Sequence, residues 1–316
     1  MAKDASGYVQ TIKGAIPADA LGLILPHEHL FTDLRGPSTP GYTTADVSDV
    51  VRKVSPYLKE AYAAGITAIV ECSTIGVGRN IQILEALSDT TPIHIIVPTG
   101  VYREEYFPAK MKSMSAEELA QLWIQELTKG MEGTKIQAGF IKISMSDDGP
   151  TALESGSLMA ASIASRQTGA AVASHTANGI VFEKELALLN KSGMDPSRFI
   201  WVHANLESDP EKYISAAKAG VYVEFDGIGA PWQSQEAMIR GILHLVEAGY
   251  IDSILLSHDA GWYDPGSENG EPEGGIRGYT TLVDEFIPAL ESRGVSRKEI
   301  IQITHHNPAR AFALRL

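Results

Sequence analysis

Runs of Val, Ile, Leu and Ala recur along this chain, and between them apolar positions return every three or four residues on a polar background. A run without polar alternation predicts a strand buried on both faces, and the three-to-four spacing predicts an amphipathic helix. Eight runs qualify: LGLILPHEHL at 21–30, ITAIVECST at 66–74, IHIIVPTGV at 93–101, GFIKISM at 139–145, AAVASHTA at 170–177, FIWVHAN at 199–205, VYVEFDGI at 221–228 and SILLSHDA at 253–260. The lead segment YVQTIKGAI reads as a small hairpin. Ser115 with Glu118 gives a capping-box start to one helix, which Gly130 would stop. Other helices run through VVRKVSPYLKEAYAAG, PEKYISAAKAG and QEAMIRGILHLVEAGY, several ending in Gly just before the next strand. Strand and helix in alternation predict an α/β fold, and eight repeats fit a closed (β/α)8 TIM barrel formed by residues 1–316 as one domain. An open doubly wound sheet is the alternative. The Gly- and Pro-rich stretch at 261–278 predicts a long loop over the catalytic face.

Composition narrows the partners. A formal net charge of -13 argues against nucleic acid or an anionic membrane surface and leaves a small molecule as the expected ligand. Cys72 is the only cysteine, so an intrachain disulfide and an intrachain thiolate metal site are both excluded. Any metal must bind through N and O atoms. MAKDASGYVQ lacks an apolar signal core, and no apolar run approaches the roughly 18 residues of a membrane span. A cytoplasmic location is therefore expected, and a homodimer associating through outer helices.

The candidate chemistry sits at strand ends. His27 and His29 are two apart, so alternation points both to one face and Glu28 to the other. Two neighbouring imidazoles repel when protonated, whereas a bound cation lets both act as neutral donors. His175, His203 and Asp259 lie near the ends of three later runs, the end where barrel active sites form. Any one such histidine is usually structural; the set at corresponding ends points to metal. Lys142 lies mid-strand with Phe140 and Ser144 on its own face, where a buried ammonium is costly. It can be read as a Schiff-base lysine, as a salt-bridge partner, or as an amine carboxylated by CO2 to bridge two metal ions. Four histidines share no task around a Schiff base, but they complete the bonds around a bridging anion.

Together His27, His29, Lys142, His175, His203 and Asp259 resemble the binuclear metal centre of the phosphotriesterase family, including its lactonases, in the amidohydrolase superfamily. The likeness covers nearly the whole chain through HEHL, GTKIQAGFIKIS, SHTANG, LLSHDAG and THHNPARAFAL. It implies that His27, His29 and Asp259 hold the more buried of two divalent ions and His175 and His203 the more exposed one. Carboxylated Lys142 and a hydroxide would bridge both. Zinc is the first expectation, with manganese, cobalt or iron compatible with the same ligands. Asp259 would accept the proton as hydroxide attacks. The implied activity is that of a lactonase or other carboxylic-ester hydrolase, with phosphotriester or amide hydrolysis as alternatives on the same site. A metal-free lyase using a Schiff base on Lys142 is the alternative from another class, and a barrel that only binds ligands is opposed by the complete ligand set.

Two departures bear on specificity. His203 is followed by Ala204-Asn205-Leu206-Glu207 where family members carry a proton-relay acid, so Glu207 is either a substitute or a solvated side chain. Asp226 is followed by Gly227 and not by the Arg of the family's lactonases, so the substrate is expected to differ from acyl-homoserine lactones. Tyr102, Arg103, Trp262, Tyr263 and Arg277 are candidate substrate contacts, and the two arginines suit a carboxylate or phosphate unless they form surface salt bridges. His305 and His306 read as helix caps, His94 and His244 as structural residues without partners, and Cys72 as a small core residue.

Overall fold

A computed structural model describes residues 7–314. The lead forms the expected hairpin, β1 (Tyr8–Thr11) and β2 (Gly14–Pro17), paired antiparallel. The eight apolar runs then supply β3 (Leu23–Phe31), β4 (Ile66–Glu71), β5 (His94–Ile96), β6 (Pro98–Gly100), β7 (Phe140–Ser144), β8 (Val172–His175), β9 (Phe199–Val202), β10 (Tyr222–Phe225) and β11 (Ile254–Leu256). β5 and β6 are two parts of one run, broken where Pro98 follows Val97. A short β12 (Gly261–Tyr263) comes last.

All these strands pair in parallel, in the orders β12-β3-β4-β5 and β6-β7-β8-β9-β10-β11. The two sheets are continuous through Val97, whose carbonyl accepts from Gly139 N at 2.8 Å. At the far seam Asp259 N donates to the His27 carbonyl at 3.2 Å and His29 N to that of Ala260 at 2.9 Å. The result is the expected (β/α)8 barrel, with a ladder thinned at both seams.

Helices cover the outside: α1 (Val47–Ala63), α2 (Ile81–Ser88), α3 (Ala116–Thr128), α4 (Ala152–Thr168), α5 (Gly179–Ser192), α6 (Pro210–Lys218) and α7 (Gln235–Glu247). The predicted capping box starts α3, with Glu118 N donating to Ser115 Oγ at 3.2 Å and Ser115 N to Glu118 Oε2 at 2.8 Å. The chain closes with α8 (Ile287–Ser292), α9 (Arg297–Ile301) and α10 (Asn307–Phe312). No helix among the described residues is long and apolar enough to cross a membrane.

Strand alternation separates two apolar layers. Leu25, Ile69, Ile141 and Ile143 face the helices, while Ile24, Val70, Phe140 and Ile200 fill the barrel. Val9 from the hairpin and Phe312 from α10 join the inner layer, Phe312 lying edge-on to Phe140 at 5.2 Å. They plug the N-terminal end, leaving the C-terminal end open for a site.

The expected loop at 261–278 is corrected at its start. Gly261 pairs with His29 and Tyr263 with Phe31, so the chain rejoins the sheet before leaving it. Gly261 takes φ +97°, and a Cβ there would overlap the Tyr279 hydroxyl and the His29 carbonyl. Only glycine fits that approach.

Glu28 points out of the barrel, as alternation requires, and ties the weak seam. Its Oε1 accepts from Ser257 Oγ at 2.8 Å, His258 N at 3.0 Å and His258 Nδ1 at 2.6 Å; Oε2 accepts from Ala260 N at 3.0 Å. His258 Nε2 in turn accepts from Leu282 N at 2.9 Å, which leaves Nδ1 as the nitrogen that donates to Glu28. Behind β8, the buried Glu185 of α5 accepts from Ser174 and from Thr176 Oγ1. Burial pushes its pKa up to about 7, against these hydrogen bonds and the charge of Lys142.

Both carboxylates lead to stability measurements. Glu28→Ala strands four donors in a dry seam, and urea unfolding should show a loss of about 3 kcal/mol. Because the folded protein holds the Glu185 proton up to about pH 7 while the unfolded chain releases it near its ordinary 4.5, stability declines as pH rises between those values. Glu185→Gln should remove about 3 kcal/mol of that decline in unfolding curves taken across the window.

Candidate metal centre

All six predicted ligands line one cavity of about 170 Å³ at the C-terminal end of the barrel, together with Tyr102, Trp262 and Cys72. His27 and His29 project from β3 with ring centroids 5.3 Å apart. Asp259 follows β11 and reaches both, Oδ1 lying 3.1 Å from His29 Nε2 and 3.5 Å from His27 Nε2. The rings of His203 and His175 meet at 4.3 Å, and His203 lies 5.0 Å from His27. Among the described residues five non-glycine positions have positive φ, and three are His203, Asp259 and Trp262. Backbone strain is thus concentrated at the cavity.

The outer ring nitrogens are held from behind. His27 Nδ1 lies 2.9 Å from Glu224 Oε1 and 3.2 Å from Asp226 Oδ2. His203 Nδ1 and backbone N each lie 2.9 Å from Asp226. His29 Nδ1 meets Ser73 Oγ at 2.8 Å. With Nδ1 engaged, each of these imidazoles keeps Nε2 for the cavity, the arrangement that orients metal-binding histidines.

Sequence reading missed Glu224 and Ser73 and used Asp226 only as a landmark. The available signal was period two in VYVEFDGI, which places Glu224 and Asp226 on the inward face of β10.

Electrostatics agree with this geometry. Burial disfavours charge on His175, and the nearby His203, Lys142 and Arg103 lower its pKa further, leaving a neutral donor. Burial opposes ionisation of Asp259, but the hydrogen bond from His29 and the charges of His27 and His203 hold its carboxyl well below the usual range. Burial raises Glu224 to about 7, whereas His203 and His27 hold Asp226 ionised despite its burial. Burial also works against charge on His29, yet Asp259 and Glu71 raise its pKa. Carboxylates that draw protons to these rings equally attract a divalent cation.

Lys142 is 2% exposed, and among the described residues no carboxylate pairs with it, so its salt-bridge reading finds no partner. In His175 both ring nitrogens meet groups outside the histidine and carboxylate cluster. Tyr102 Oη lies 3.2 Å from Nδ1, and Arg103 Nη2 lies 2.6 Å from Nε2.

Several expected contacts lie elsewhere. Trp262 stands edge-on to His29 in the cavity, but Tyr263 faces away, stacking on Phe31 and donating to Asp49 at 2.9 Å. Alternation along β12 separates the two. Arg277 donates to the carbonyls of His258 and Asp259 and so braces the chain after β11. Glu207 accepts from the amides of Gly179, Ser208 and Asp209 outside the cavity, which removes it as a relay acid. His305 and His306 lie in a π-helical turn and make no capping bond; His305 Nδ1 instead meets Thr304 Oγ1. His244 has a partner after all, Glu211 at 3.0 Å.

Comparison with known proteins accords with this architecture. The Escherichia coli phosphotriesterase homology protein is 30% identical over 93% of this chain and 99% of its own. An aryldialkylphosphatase of Saccharolobus solfataricus is 28% identical over 95% and 98%. The solved structure of a mutant PTE-like lactonase from Deinococcus radiodurans superposes with a TM-score of 0.88 at 30% identity, covering 96% of this chain and all of that one. The sequence profile of the phosphotriesterase family matches residues 7–312, and with a match of that extent the chain belongs to this family of hydrolases.

Proposed function

We propose that this protein is a binuclear metal-dependent hydrolase of lactones or other carboxylic esters. The observation that carries the reading is the convergence of His27, His29 and Asp259, whose donor atoms lie within 4.8 Å of one another. A second trio, His27, His203 and Asp226, is equally compact, but there the carboxylate already bonds both Nδ1 atoms. We read Asp226 as the support of the ligands.

The residues fit a metal pair. His27, His29 and Asp259 would hold one ion and His175 with His203 the other, zinc first among metals suited to N and O ligands. The lone pair of His175 Nε2 already receives a cationic nitrogen from Arg103. Lys142, buried and without a carboxylate partner among the described residues, is suited to exist as its carbamate, formed as the amine adds CO2 and releases a proton. Divalent ions bound there supply Lewis acidity, polarising an ester or phosphoryl oxygen and acidifying water.

Around them the protein's own groups have separate tasks. Asp259, held ionised at the cavity, accepts a proton. Asp226 and Glu224 fix His203 and His27, while Trp262, Val77 and Leu34 give the cavity apolar wall. The similarity to a PTE-like lactonase supports a lactone or ester as substrate. The similarity to an aryldialkylphosphatase supports phosphotriester hydrolysis as a second reading on the same ligands.

Two experiments test this. Replacing Lys142 by Ala should lower kcat/KM for lactones and aryl esters by more than about a hundredfold, with reduced metal content and partial recovery in short carboxylic acids. Full activity of that variant without added acid would refute the carbamate role. Chelation should abolish wild-type activity, and borohydride added with a carbonyl substrate should trap no adduct; trapping on Lys142 in chelated, active protein would instead establish the lyase.

A further inference from the structure

Arg103 follows β6 and stands at the edge of the cavity, with its side chain 22% exposed. The planar group lies over Tyr102, 5.8 Å from the ring centroid. Its Nη2 contacts His175 Nε2 at 2.6 Å and Asp147 Oδ1 at 3.0 Å. Its Nε is buried and makes no hydrogen bond.

Nε and Nη2 share one edge of a guanidinium, the edge that grips a carboxylate through two parallel hydrogen bonds. Arg35 displays that grip here, with Nε and Nη2 on the two oxygens of Asp33 at 2.9 and 2.7 Å. In Arg103 the same edge has one nitrogen on a histidine lone pair and the other on nothing. The other arginines near the mouth are committed, Arg35 to Asp33 and Arg277 to peptide carbonyls.

We infer that Arg103 is a specificity residue that binds a free carboxylate carried by the substrate. The inference rests on the metal-hydrolase reading, since a metal on His175 takes the lone pair that Nη2 now occupies. That leaves Nη2 opposed only by Asp147, beside an Nε that has no hydrogen-bond partner, so both nitrogens of this edge have donor capacity for a carboxylate. An exposed contact of this kind is weak and readily exchanged. Two donors beside an aspartate suit a monoanionic carboxylate better than a phosphate dianion, which needs more donors and is repelled more strongly. On a chain with a net charge of -13, such a cation is also what offsets repulsion of an anionic substrate.

The test uses metal-loaded protein and two esters matched in length, p-nitrophenyl butyrate and mono-p-nitrophenyl succinate, with rates corrected for uncatalysed hydrolysis. In the wild type, kcat/KM for the succinate ester should exceed that for the butyrate ester by about tenfold or more, and Arg103→Gln should bring the ratio near one, mainly through KM. Arg103→Lys, which keeps the charge without the fork, should fall between. Calorimetry with succinate supplies a readout independent of turnover: binding should weaken by about tenfold or more in Arg103→Gln. An unchanged ester ratio in that variant, or succinate binding that is absent or equal in both proteins, overturns the inference. If metal-loaded protein hydrolyses neither ester, the calorimetry still decides the role of Arg103, and the hydrolytic failure counts against the esterase reading instead.

Discussion

Asp226 holds the site together from below. One oxygen meets His203 Nδ1 while the other meets the His203 amide and lies within reach of His27 Nδ1, so a single buried carboxylate links the first barrel strand to the sixth and seventh. An ionised carboxylate in a dry interior is stable only while it is bonded on several sides. That requirement turns both rings to present Nε2 upward and fixes His203 in its left-handed conformation. Asp259, His29 and the cavity wall are then arranged around rings that have little freedom left.

Precision at the mouth is combined with economy elsewhere. The interior below the cavity histidines is filled by small and branched side chains and sealed by Phe312 and the hairpin. The helices pack on a separate apolar layer. Strain appears where the chain must aim a functional group, at His203, Asp259 and Trp262, and the surrounding barrel supports it. The thin ladder between β3 and β11 follows from the same demand. The chain bends at Asp259 to bring its carboxylate over His27 and His29, and side-chain bonds to Glu28 replace the ladder bonds that the bend removes.

Much of this was legible beforehand because it depends on periodicity. Eight apolar runs became the barrel strands, and the period of two placed His27, His29 and Glu28 on their correct faces. The six ligand candidates could be read because their types and strand positions are distinctive. Contacts set by tertiary bends were not legible. Tyr263 and Arg277 lie in a segment whose path depends on β12 rejoining the sheet, which no local propensity encodes. Glu207 was ambiguous for a similar reason: its amide partners come from the start of α5 and from its own turn. Glu224 was readable in principle, since it alternates with Asp226, but an acid in an apolar run carries no mark that distinguishes a support from a ligand.

The triplet His27-Glu28-His29 has a consequence for how this strand can evolve. Adjacent residues serve opposite sides of one wall, the imidazoles inward and the carboxylate outward. Insertion or deletion of one residue upstream in β3 would exchange the two sides, sending an acid into the cavity and leaving the closure without its anchor. Such a frame slip would cost reactivity and architecture in a single event, with no half-working intermediate. A change of length in the segments joining strands to helices, by contrast, leaves the parity of this strand intact.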